Sequence, residues 1–266
     1  MGELNYTPLI EDMTWSYSRI KCFEDCPHQW FLKYIKRYPE KDQFYASFGK
    51  FIHTLLEQFY LGEIDKEDLP IAYLQRFSSE VKGQRPKIET FNKYINNGLE
   101  YLQTFVPLPY NMVEVEKEVH FNVHGYEFTG FIDYLGEKDG DFYIVDNKSR
   151  DLKPRSGKEK PTAKDKELDE YLKQLYLYSI AIKEEFGVYP KYLCFNCYRT
   201  QTFIVEPFKV EALEETKRWA IEKISEIFSE EDFEPNQDFF RCYWICGMGD
   251  HCDVNIETRE NWRRRM

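Results

Sequence analysis

The chain has 266 residues, of which 42% are hydrophobic and 31% charged, and its formal net charge is −11. This length suits a globular protein with a sizeable core, and the acidic balance argues against a general nucleic-acid coat protein, which binds by neutralising phosphates. An enzyme with a locally basic channel remains compatible, because the shape of the field matters more than the total charge. No apolar run is long enough for a membrane span and no leader pattern opens the chain, so we expect a cytoplasmic protein without a membrane partner.

The N-terminal part of the chain predicts helices that follow an extended lead-in over residues 1–14. Ser16 and Ser18 are both candidate N-caps for the first helix, and Pro27 is expected to kink or restart it. Gly62 is the expected C-terminal stop of the next helix. The predicted helices span residues 16–34, 44–61, 66–82 and 88–105.

Beyond residue 112 the hydrophobic period changes from that of a helix to two. Apolar residues alternate with glutamate and histidine from Val113 to Phe121, which predicts a half-buried strand. Two β-rich runs follow, from Gly130 to Leu135 and from Phe142 to Lys148. The polar turn between them contains Asp139-Gly140, a strong signal for a β-hairpin.

The second run of this hairpin carries the most informative residues of the chain. Successive strand residues point to opposite faces, so Asp146 and Lys148 share a face while Asn147 points away. If Asp133 ends the first run on that same face, two carboxylates and an ammonium group converge at one sheet edge. Close carboxylates repel each other unless a cation lies between them, and a hard divalent ion suits such ligands. An ordinary charged surface hairpin is the alternative.

The segment from Ser149 to Lys166 is rich in lysine and arginine. Together with Lys148 it holds eight basic residues against three acidic ones. We therefore expect a mobile, solvated loop. A basic loop that leaves a strand of this kind also suits a clamp on a phosphate backbone, for which the candidates are Lys153, Arg155, Lys158 and Lys160.

A long helix is predicted after the basic segment, from Glu167 to Phe186, and Gly187 is its expected stop. Gln174 and Tyr178 lie four residues apart in it, so their side chains are neighbours on one helical face.

Two further strands, over residues 191–199 and 202–208, and an amphipathic helix over residues 209–229 complete the predicted elements. Cys194 and Cys197 in the first of these strands face opposite sides of the sheet, so we expect core residues rather than partners for one metal. The order of helices, strands, helix and strands implies an α/β fold with a mixed central sheet flanked by helices.

The C-terminal tail is dense in cysteine, and an odd total of seven cysteines in an intracellular protein favours thiols or metal ligands over disulfides. Three of them lie within eleven residues: Cys242, Cys246 and Cys252. Such spacing is typical of thiolates around zinc or an iron–sulfur cluster. Cys26 or Cys22 is the candidate fourth ligand, from the other end of the chain, and His251 is a lesser candidate for zinc. Three free thiols are the alternative.

Together these motifs resemble the RecB-like branch of the PD-(D/E)xK nuclease superfamily in its iron–sulfur form, which includes CRISPR-adaptation and phage exonucleases. The matching segments, in the family's order, are a cysteine motif, a histidine helix, an aspartate strand, an Asp-x-Lys strand and a Gln-x-x-x-Tyr helix: Ser16 to Pro27, Gly49 to His53, Gly130 to Asp133, Asp146 to Lys148 and Gln174 to Tyr178. The resemblance implies a restriction-endonuclease-like core and a cysteine-cluster subdomain formed by both termini.

The resemblance also implies an Mg²⁺- or Mn²⁺-dependent exonuclease that hydrolyses single-stranded DNA. The implied catalytic residues are Asp133, Asp146, Lys148, Gln174 and Tyr178. The implied metal ligands are His53, Asp133, Asp146 and the carbonyl of Asn147. An imidazole ligand shifts the preference somewhat toward Mn²⁺. Glu118 is a candidate second carboxylate at this site, and the sequence leaves its orientation open.

For the cysteines the resemblance implies a 4Fe-4S cluster, with Zn²⁺ as the lesser alternative. The implied ligands are Cys26, Cys242, Cys246 and Cys252. The tail spacing, Cys-x3-Cys-x5-Cys, departs from the family's usual Cys-x2-Cys before the last cysteine. This departure leaves the cluster type open, and Cys22 remains an alternative to Cys26.

The implied organisation is a single nuclease domain over residues 1–266. It comprises a helical part (15–105), a catalytic sheet core (112–208) and a C-terminal helix and tail (209–266) that closes on Cys26. The implied partners are DNA and a helicase, recombination or CRISPR protein, in a bacterial or phage-infected cell. A catalytically silent DNA-binding module and a zinc-clasped adaptor are the rival hypotheses.

Overall fold

The computed structural model describes residues 6–253, and within that range five strands form one sheet with helices on both faces. The strands are β1 (Asn111–Val123), β2 (Tyr126–Lys138), β3 (Asp141–Asn147), β4 (Tyr192–Cys197) and β5 (Thr202–Pro207). They lie in sequence order, with β3 and β4 parallel and the other neighbours antiparallel. The predicted α/β fold with a mixed sheet is confirmed. The ends of the predicted domain range, before residue 6 and after residue 253, lie outside the described residues.

The helices follow the predicted pattern with one addition. Ser16 caps the second helix by accepting a hydrogen bond from Arg19 N at 3.2 Å, and Pro27 restarts the helix because the backbone of Cys26 is extended. The expected extended lead-in is wrong for residues 7–11, which form a short helix with Pro8 in its first turn. The helices are α1 (Thr7–Glu11), α2 (Tyr17–Asp25), α3 (Pro27–Trp30), α4 (Phe44–Tyr60), α5 (Leu69–Glu80), α6 (Ile88–Gln103), α7 (Ala163–Phe186) and α8 (Val210–Ser229).

Short helical turns complete the elements: Phe31–Ile35, Lys66–Asp68, Arg241–Ile245 and Gly249–His251. Within residues 6–253, none of the helices combines the length and the apolar character that crossing a bilayer requires.

The crossover helix α7 begins four residues before its predicted start at Glu167. Thr162 caps it, and Asp165 completes a reciprocal capping box by accepting a hydrogen bond from Thr162 N at 2.6 Å. Gly187 ends the helix in the left-handed conformation with φ 75°, as predicted. The capping box lies within the lysine- and proline-rich segment, whose composition is typical of a loop, and the sequence therefore predicted a later helix start.

The two faces of the sheet are buried by different helices. Leu135 and Ile144 pack in one large cluster with α2, α7 and α8, whereas Tyr134 and Val145 pack on the other face. The helices α4, α5 and α6 form a second large cluster there, which is joined to the sheet end by Tyr198. Cys194 and Cys197 are fully buried on opposite faces, so their predicted role in the core is confirmed.

Candidate active site

The candidate site is built on a paired irregularity in β1 and β2. Ile132 and Tyr134 are two residues apart, yet their side chains are buried on opposite faces of the sheet. The cross-strand neighbour of Asp133, which lies between them, is Glu116, and its φ of 46° is left-handed. That conformation is uncommon for glutamate and marks a break in the alternation of both strands. Asp133 and Glu116 therefore face each other where the pleat is interrupted.

Three potential metal ligands meet at this irregularity. The ligand atoms of His53, Glu116 and Asp133 lie within 4.8 Å of one another, and no other such group occurs among residues 6–253. His53 reaches the site from α4, with Nδ1 3.5 Å from Asp133 Oδ2 and Nε2 2.7 Å from the carbonyl oxygen of Asn147. The edge of the Tyr198 ring lies against the imidazole. The site therefore combines one nitrogen with several oxygen donors.

The hairpin brings Asp133 to the site in a way that the sequence did not predict. Asp133 lies inside β2 rather than at its end, because pairing continues as far as Lys138 opposite Asp141. The turn is confined to Asp139 and Gly140, whose φ values are 56° and 84°. Asp133 Oδ2 accepts a hydrogen bond of 2.6 Å from Asn147 N, which ties β2 to the end of β3.

Asp146 and Lys148 share a face of β3, as the alternation predicts, and Lys148 Nζ lies 2.8 Å from Asp146 Oδ2. The ammonium group also donates to Gln174 Oε1 at 3.0 Å. Gln174 Nε2 in turn donates to the hydroxyl of Tyr178 at 3.2 Å, and that oxygen also accepts from the backbone N–H of Phe131. A continuous chain of polar contacts thus fixes the lysine between β3, α7 and β2.

Several carboxyl groups lie close together in the site, and their mutual repulsion would be relieved by a bound cation. Burial, followed by the charge of Asp146, raises the pKa of Asp133 to about 6, while His53 opposes this shift. Burial and the neighbouring Asp133 raise the pKa of Glu116 to about 7. Burial alone would lower the pKa of Lys148, but the carboxylates of Asp146 and Asp133 outweigh it, so that pKa lies above its ordinary value. Lys148 is therefore a cation.

The donor set fits a hard divalent ion. His53, Glu116 and Asp133 offer one nitrogen and two carboxylate oxygens within 4.8 Å of one another, and the carbonyl oxygen of Asn147 lies 2.7 Å from His53 Nε2. The carboxylate of Asp146, a predicted ligand, is not part of the 4.8 Å group among residues 6–253. Its nearest partner is the ammonium of Lys148.

Glu118 does not face this site, so the candidate second carboxylate is Glu116 instead. The side chain of Glu118 is 56% exposed and lies 3.3 Å from His120 on the same strand. The physical reason is the left-handed backbone at Glu116, which reverses the alternation beyond it. No signal within β1 distinguishes Glu116 from its neighbours Glu114 and Glu118, because the distinction depends on the cross-strand position of Asp133.

The cysteines of both chain ends lie together. Cys26 and Cys246 are buried, and Cys26 Sγ accepts a hydrogen bond from Asn236 N at 3.4 Å, which links the first part of the chain to the tail. Burial raises the pKa of Cys246 to about 11, and Cys26, Cys242 and Cys252 add to the shift. The predicted four thiols are therefore neighbours.

Cys22 also adjoins this cysteine group. Burial raises the pKa of its thiol to about 12, and Cys246 contributes to the shift. Within residues 6–253, no three thiols lie within 4.8 Å of one another. A tetrahedral zinc site with Zn–S bonds of about 2.3 Å requires sulfurs roughly 3.8 Å apart, whereas a cubane separates them further because four irons lie between.

The basic segment is irregular but partly anchored. Leu152 is fully buried, and Ser156 donates two hydrogen bonds of 2.7 Å to Asp165. This anchoring is at odds with a wholly mobile loop. Among the predicted DNA contacts, Lys158 and Lys160 are exposed.

The other two predicted contacts in this segment are ion-paired. Arg155 lies 2.5 Å from Glu206 and 2.6 Å from Asp169, so a phosphate would have to break two ion pairs to reach its guanidinium. Lys153 lies 2.8 Å from Asp151 in an exposed pair, which is far weaker. The structure therefore gives Arg155 an anchoring role that the sequence did not predict.

An open cleft of about 460 Å³ leads to the metal-ligand group. The residues that line it include His53, Glu116, Tyr45, Lys50 and Ser149. Lys50 is exposed. The cleft therefore holds one basic and one aromatic side chain beside two residues of the metal-ligand group.

The sequence from residue 14 to residue 255 matches a protein family described as the PD-(D/E)XK nuclease superfamily. No curated protein matches the chain. A solved structure described as a "Putative exonuclease" from Eubacterium rectale superimposes with a TM-score of 0.52 at 13% identity, covering 97% of this chain and 92% of that chain. So distant a likeness shows a common fold alone. The structure of SSO0001 covers 77% of this chain and 96% of that chain at 18% identity, with a TM-score of only 0.30.

Proposed function

This chain belongs to the PD-(D/E)XK nuclease superfamily, and from that membership we propose that it is a divalent-metal-dependent deoxyribonuclease acting on single-stranded DNA from an end. The observation that carries the proposal is the meeting of two side-chain groups on one sheet. His53, Glu116 and Asp133 form a metal-ligand group, and Asp146 with Lys148 stands beside it. A protein that only binds DNA gains nothing from carboxylates that face phosphates, because like charges repel.

Mg²⁺ or Mn²⁺ held by His53, Glu116, Asp133 and the Asn147 carbonyl would polarise a phosphate and lower the pKa of a water. The imidazole ligand favours Mn²⁺ somewhat over Mg²⁺. The remaining tasks belong to protein side chains. Asp146 orients the ammonium of Lys148, whose Nζ lies 2.8 Å from its Oδ2.

Lys148 supplies positive charge at a fixed place. Its ammonium is held by Asp146 at 2.8 Å and Gln174 at 3.0 Å, and one donor position remains for a phosphate oxygen. Tyr178 holds the amide of Gln174 and so sets the direction of the lysine. Preorganised charge of this kind stabilises a developing oxyanion without further rearrangement.

The test is digestion of end-labelled linear single-stranded DNA with Mn²⁺, with and without chelator. Asp133→Asn, Asp146→Asn and Lys148→Ala should each abolish cleavage, and only the first should strongly weaken Mn²⁺ binding, measured by calorimetry. Asp141→Asn is the matched control, because Asp141 lies on the same strand but pairs with Lys191 away from the site. Cleavage that survives chelator, or full activity in Asp133→Asn, would contradict the proposed metal mechanism.

The proposed end-dependence rests on the basic segment. Lys158 and Lys160 are exposed, and they follow the strand that carries Asp146 and Lys148. Cations so placed would hold a single backbone over the cleft, and their contacts would weaken with salt. Lys158→Ala with Lys160→Ala should raise KM more than it lowers kcat. Circular single strands should resist digestion, and circles cut as fast as linear strands would refute an exonuclease.

We also propose that the thiols of Cys26, Cys242, Cys246 and Cys252 hold a 4Fe-4S cluster that clasps the two ends of the chain in one domain. The meeting of cysteines from both ends of the chain supports a shared metal centre. Protein purified without oxygen should contain iron and sulfide in equal amounts. Cys26→Ser should lose the iron, whereas the matched control Cys194→Ser should keep it. One equivalent of zinc without iron would favour the structural-zinc alternative. A helicase, recombination or CRISPR partner would deliver the strand.

A further inference from the structure

An aromatic surface adjoins the candidate active site. It consists of Tyr45 from α4 and two side chains of the cysteine tail, Phe240 and Trp244. The ring centroid of Tyr45 lies 6.1 Å from that of Phe240 and 6.4 Å from that of Trp244. We refer to these three residues as the aromatic platform.

The platform is exposed although it is apolar. The side chain of Phe240 is 53% exposed, and Tyr45 and Trp244 are each half-buried. Tyr94 supports the platform from below, with its ring centroid 5.2 Å from that of Tyr45, and the guanidinium of Arg199 lies 4.6 Å from the centroid of Tyr94. A contiguous, supported aromatic surface of this kind is typical of a binding site rather than of a random exposed residue.

The platform is continuous with the catalytic cleft. Tyr45 lines the same cleft as His53, and the two lie eight residues apart on α4, which is about 12 Å along the helix axis. Gly49 lies midway on the same side of the helix. A Cβ on Gly49 would make only ordinary contacts, with the Tyr198 hydroxyl at 3.6 Å, so internal packing does not require glycine there. Its absence of a side chain keeps the path between platform and metal site open.

We propose that the aromatic platform is a base-stacking subsite, which holds unpaired bases of a DNA single strand a few nucleotides from the bond that is cleaved. This inference rests on the proposed function. Flat aromatic rings bind bases of any sequence through their faces, and Lys50, an exposed residue of the cleft lining, provides a contact for the backbone. Duplex bases are stacked on each other and present no free face, so the platform selects single strands. Stacking also provides affinity without charge, which suits a chain of net charge −11.

The test compares two strands of equal charge, an oligothymidylate and a fully abasic strand of the same length. Binding of each labelled strand is measured by fluorescence anisotropy with Ca²⁺ in place of the catalytic metal. The wild type should bind the oligothymidylate about 10-fold more tightly, as expected when bases stack on aromatic side chains. The double variant Tyr45→Leu/Phe240→Leu keeps apolar bulk and leaves Trp244 as the one ring of the platform, so it should lose most of the preference for the oligothymidylate.

Two matched variants separate stacking from a change in fold. Tyr45→Phe keeps the ring and should keep the preference, and Phe203→Leu removes an aromatic residue that is 38% exposed on β5 and should change nothing. Phe240→Leu alone, at an exposed position, should lower the preference even if the double variant melts early. Duplex DNA should bind the wild type and the double variant with equal affinity.

The inference is overturned if the wild type binds thymidylate and abasic strands equally, or if the double variant retains the full preference of the wild type. Failure of the proposed function would look different. In that case the wild type would not cleave DNA with any divalent ion, and the anisotropy comparison would still decide whether the platform binds bases.

Discussion

Substitution of Gly130 by alanine tests whether the contacts that hold Lys148 matter for catalysis. A Cβ on Gly130 would lie 2.6 Å from Cζ and 2.7 Å from the hydroxyl oxygen of Tyr178. Cε1 of the same ring would lie closer still, and because ordinary contacts of this kind are about 3.5–4.0 Å, the ring must retreat by more than about 1 Å. The Gln174–Tyr178 hydrogen bond is already 3.2 Å long, and such a shift breaks it. Gln174 then loses the partner that orients it toward Lys148.

The expected effect on turnover is large and the effect on folding moderate. A displacement of about 1 Å at a positioned group can slow a reaction about 100-fold. We expect kcat of Gly130→Ala to fall about 10- to 100-fold, with Mn²⁺ affinity unchanged because no ligand moves. Overpacking of one methyl group costs about 1–3 kcal/mol, which lowers the melting temperature by about 2–10 °C.

Gly136→Ala is the matched control on the same strand. A Cβ there would lie 2.8 Å from Cβ of Tyr110 and 2.8 Å from Cε1 of Tyr134, on residues that do not touch Lys148. It should lower the melting temperature by a similar amount and leave kcat unchanged. Tyr178→Phe should also slow turnover, because it removes the hydroxyl that accepts the hydrogen bond from Gln174 without adding a steric clash. Unchanged kcat in Gly130→Ala, or equal losses of kcat in both glycine variants, would refute this account of Lys148.

Three further predictions concern the carboxylates and the capping box. Glu116→Gln should weaken Mn²⁺ binding and turnover about 10- to 100-fold, whereas Glu118→Gln should change neither; calorimetry and rate measurements decide. Because the pKa of Asp133 is raised to about 6, protonation stabilises the metal-free fold at low pH, and this contribution is lost as the pH rises through 6. In the presence of chelator, the melting temperature of Asp133→Asn should therefore be higher than that of the wild type at pH 8, and the difference should shrink toward pH 4. A difference that does not change with pH would contradict the raised pKa of Asp133. Thr162→Ala should lower the melting temperature by about 2–4 °C through the loss of about 1 kcal/mol of capping, without a change in metal affinity.

Local chemistry determined most of the elements that the sequence predicted. The cap at Ser16, the restart at Pro27 and the stop at Gly187 depend on backbone groups within a few residues, so the sequence contains the whole cause. The face shared by Asp146 and Lys148 follows from strand alternation in the same way. Only the family resemblance predicted that Gln174 lies near Asp146 and Lys148. The sequence separation of β3 and α7 does not indicate which face of the helix packs on the sheet.

The sequence did not determine the features that depend on long-range contacts. Glu116 was not selected over Glu118, because a left-handed residue opposite Asp133 reverses an alternation that looks regular in the sequence. The DNA contact of Arg155 stays a prediction, and its ion pairs with Asp169 and Glu206, which join the loop to α7 and β5, were not evident from the sequence. In both cases the sequence shows which type of residue is present, and a contact with a residue far away in the chain determines where its side chain lies.

The negative charge of the carboxylates in the proposed site couples the binding of metal to the binding of DNA. Glu116 and Asp133, with Asp146 beside them, would repel a phosphate if they were ionised without a cation. A metal ion that binds there cancels this repulsion, so metal and DNA each raise the affinity of the other by the same factor. The aromatic platform contributes by stacking, which is independent of that charge. DNA bound without metal should therefore depend mainly on the platform, whereas DNA bound with metal should depend on both.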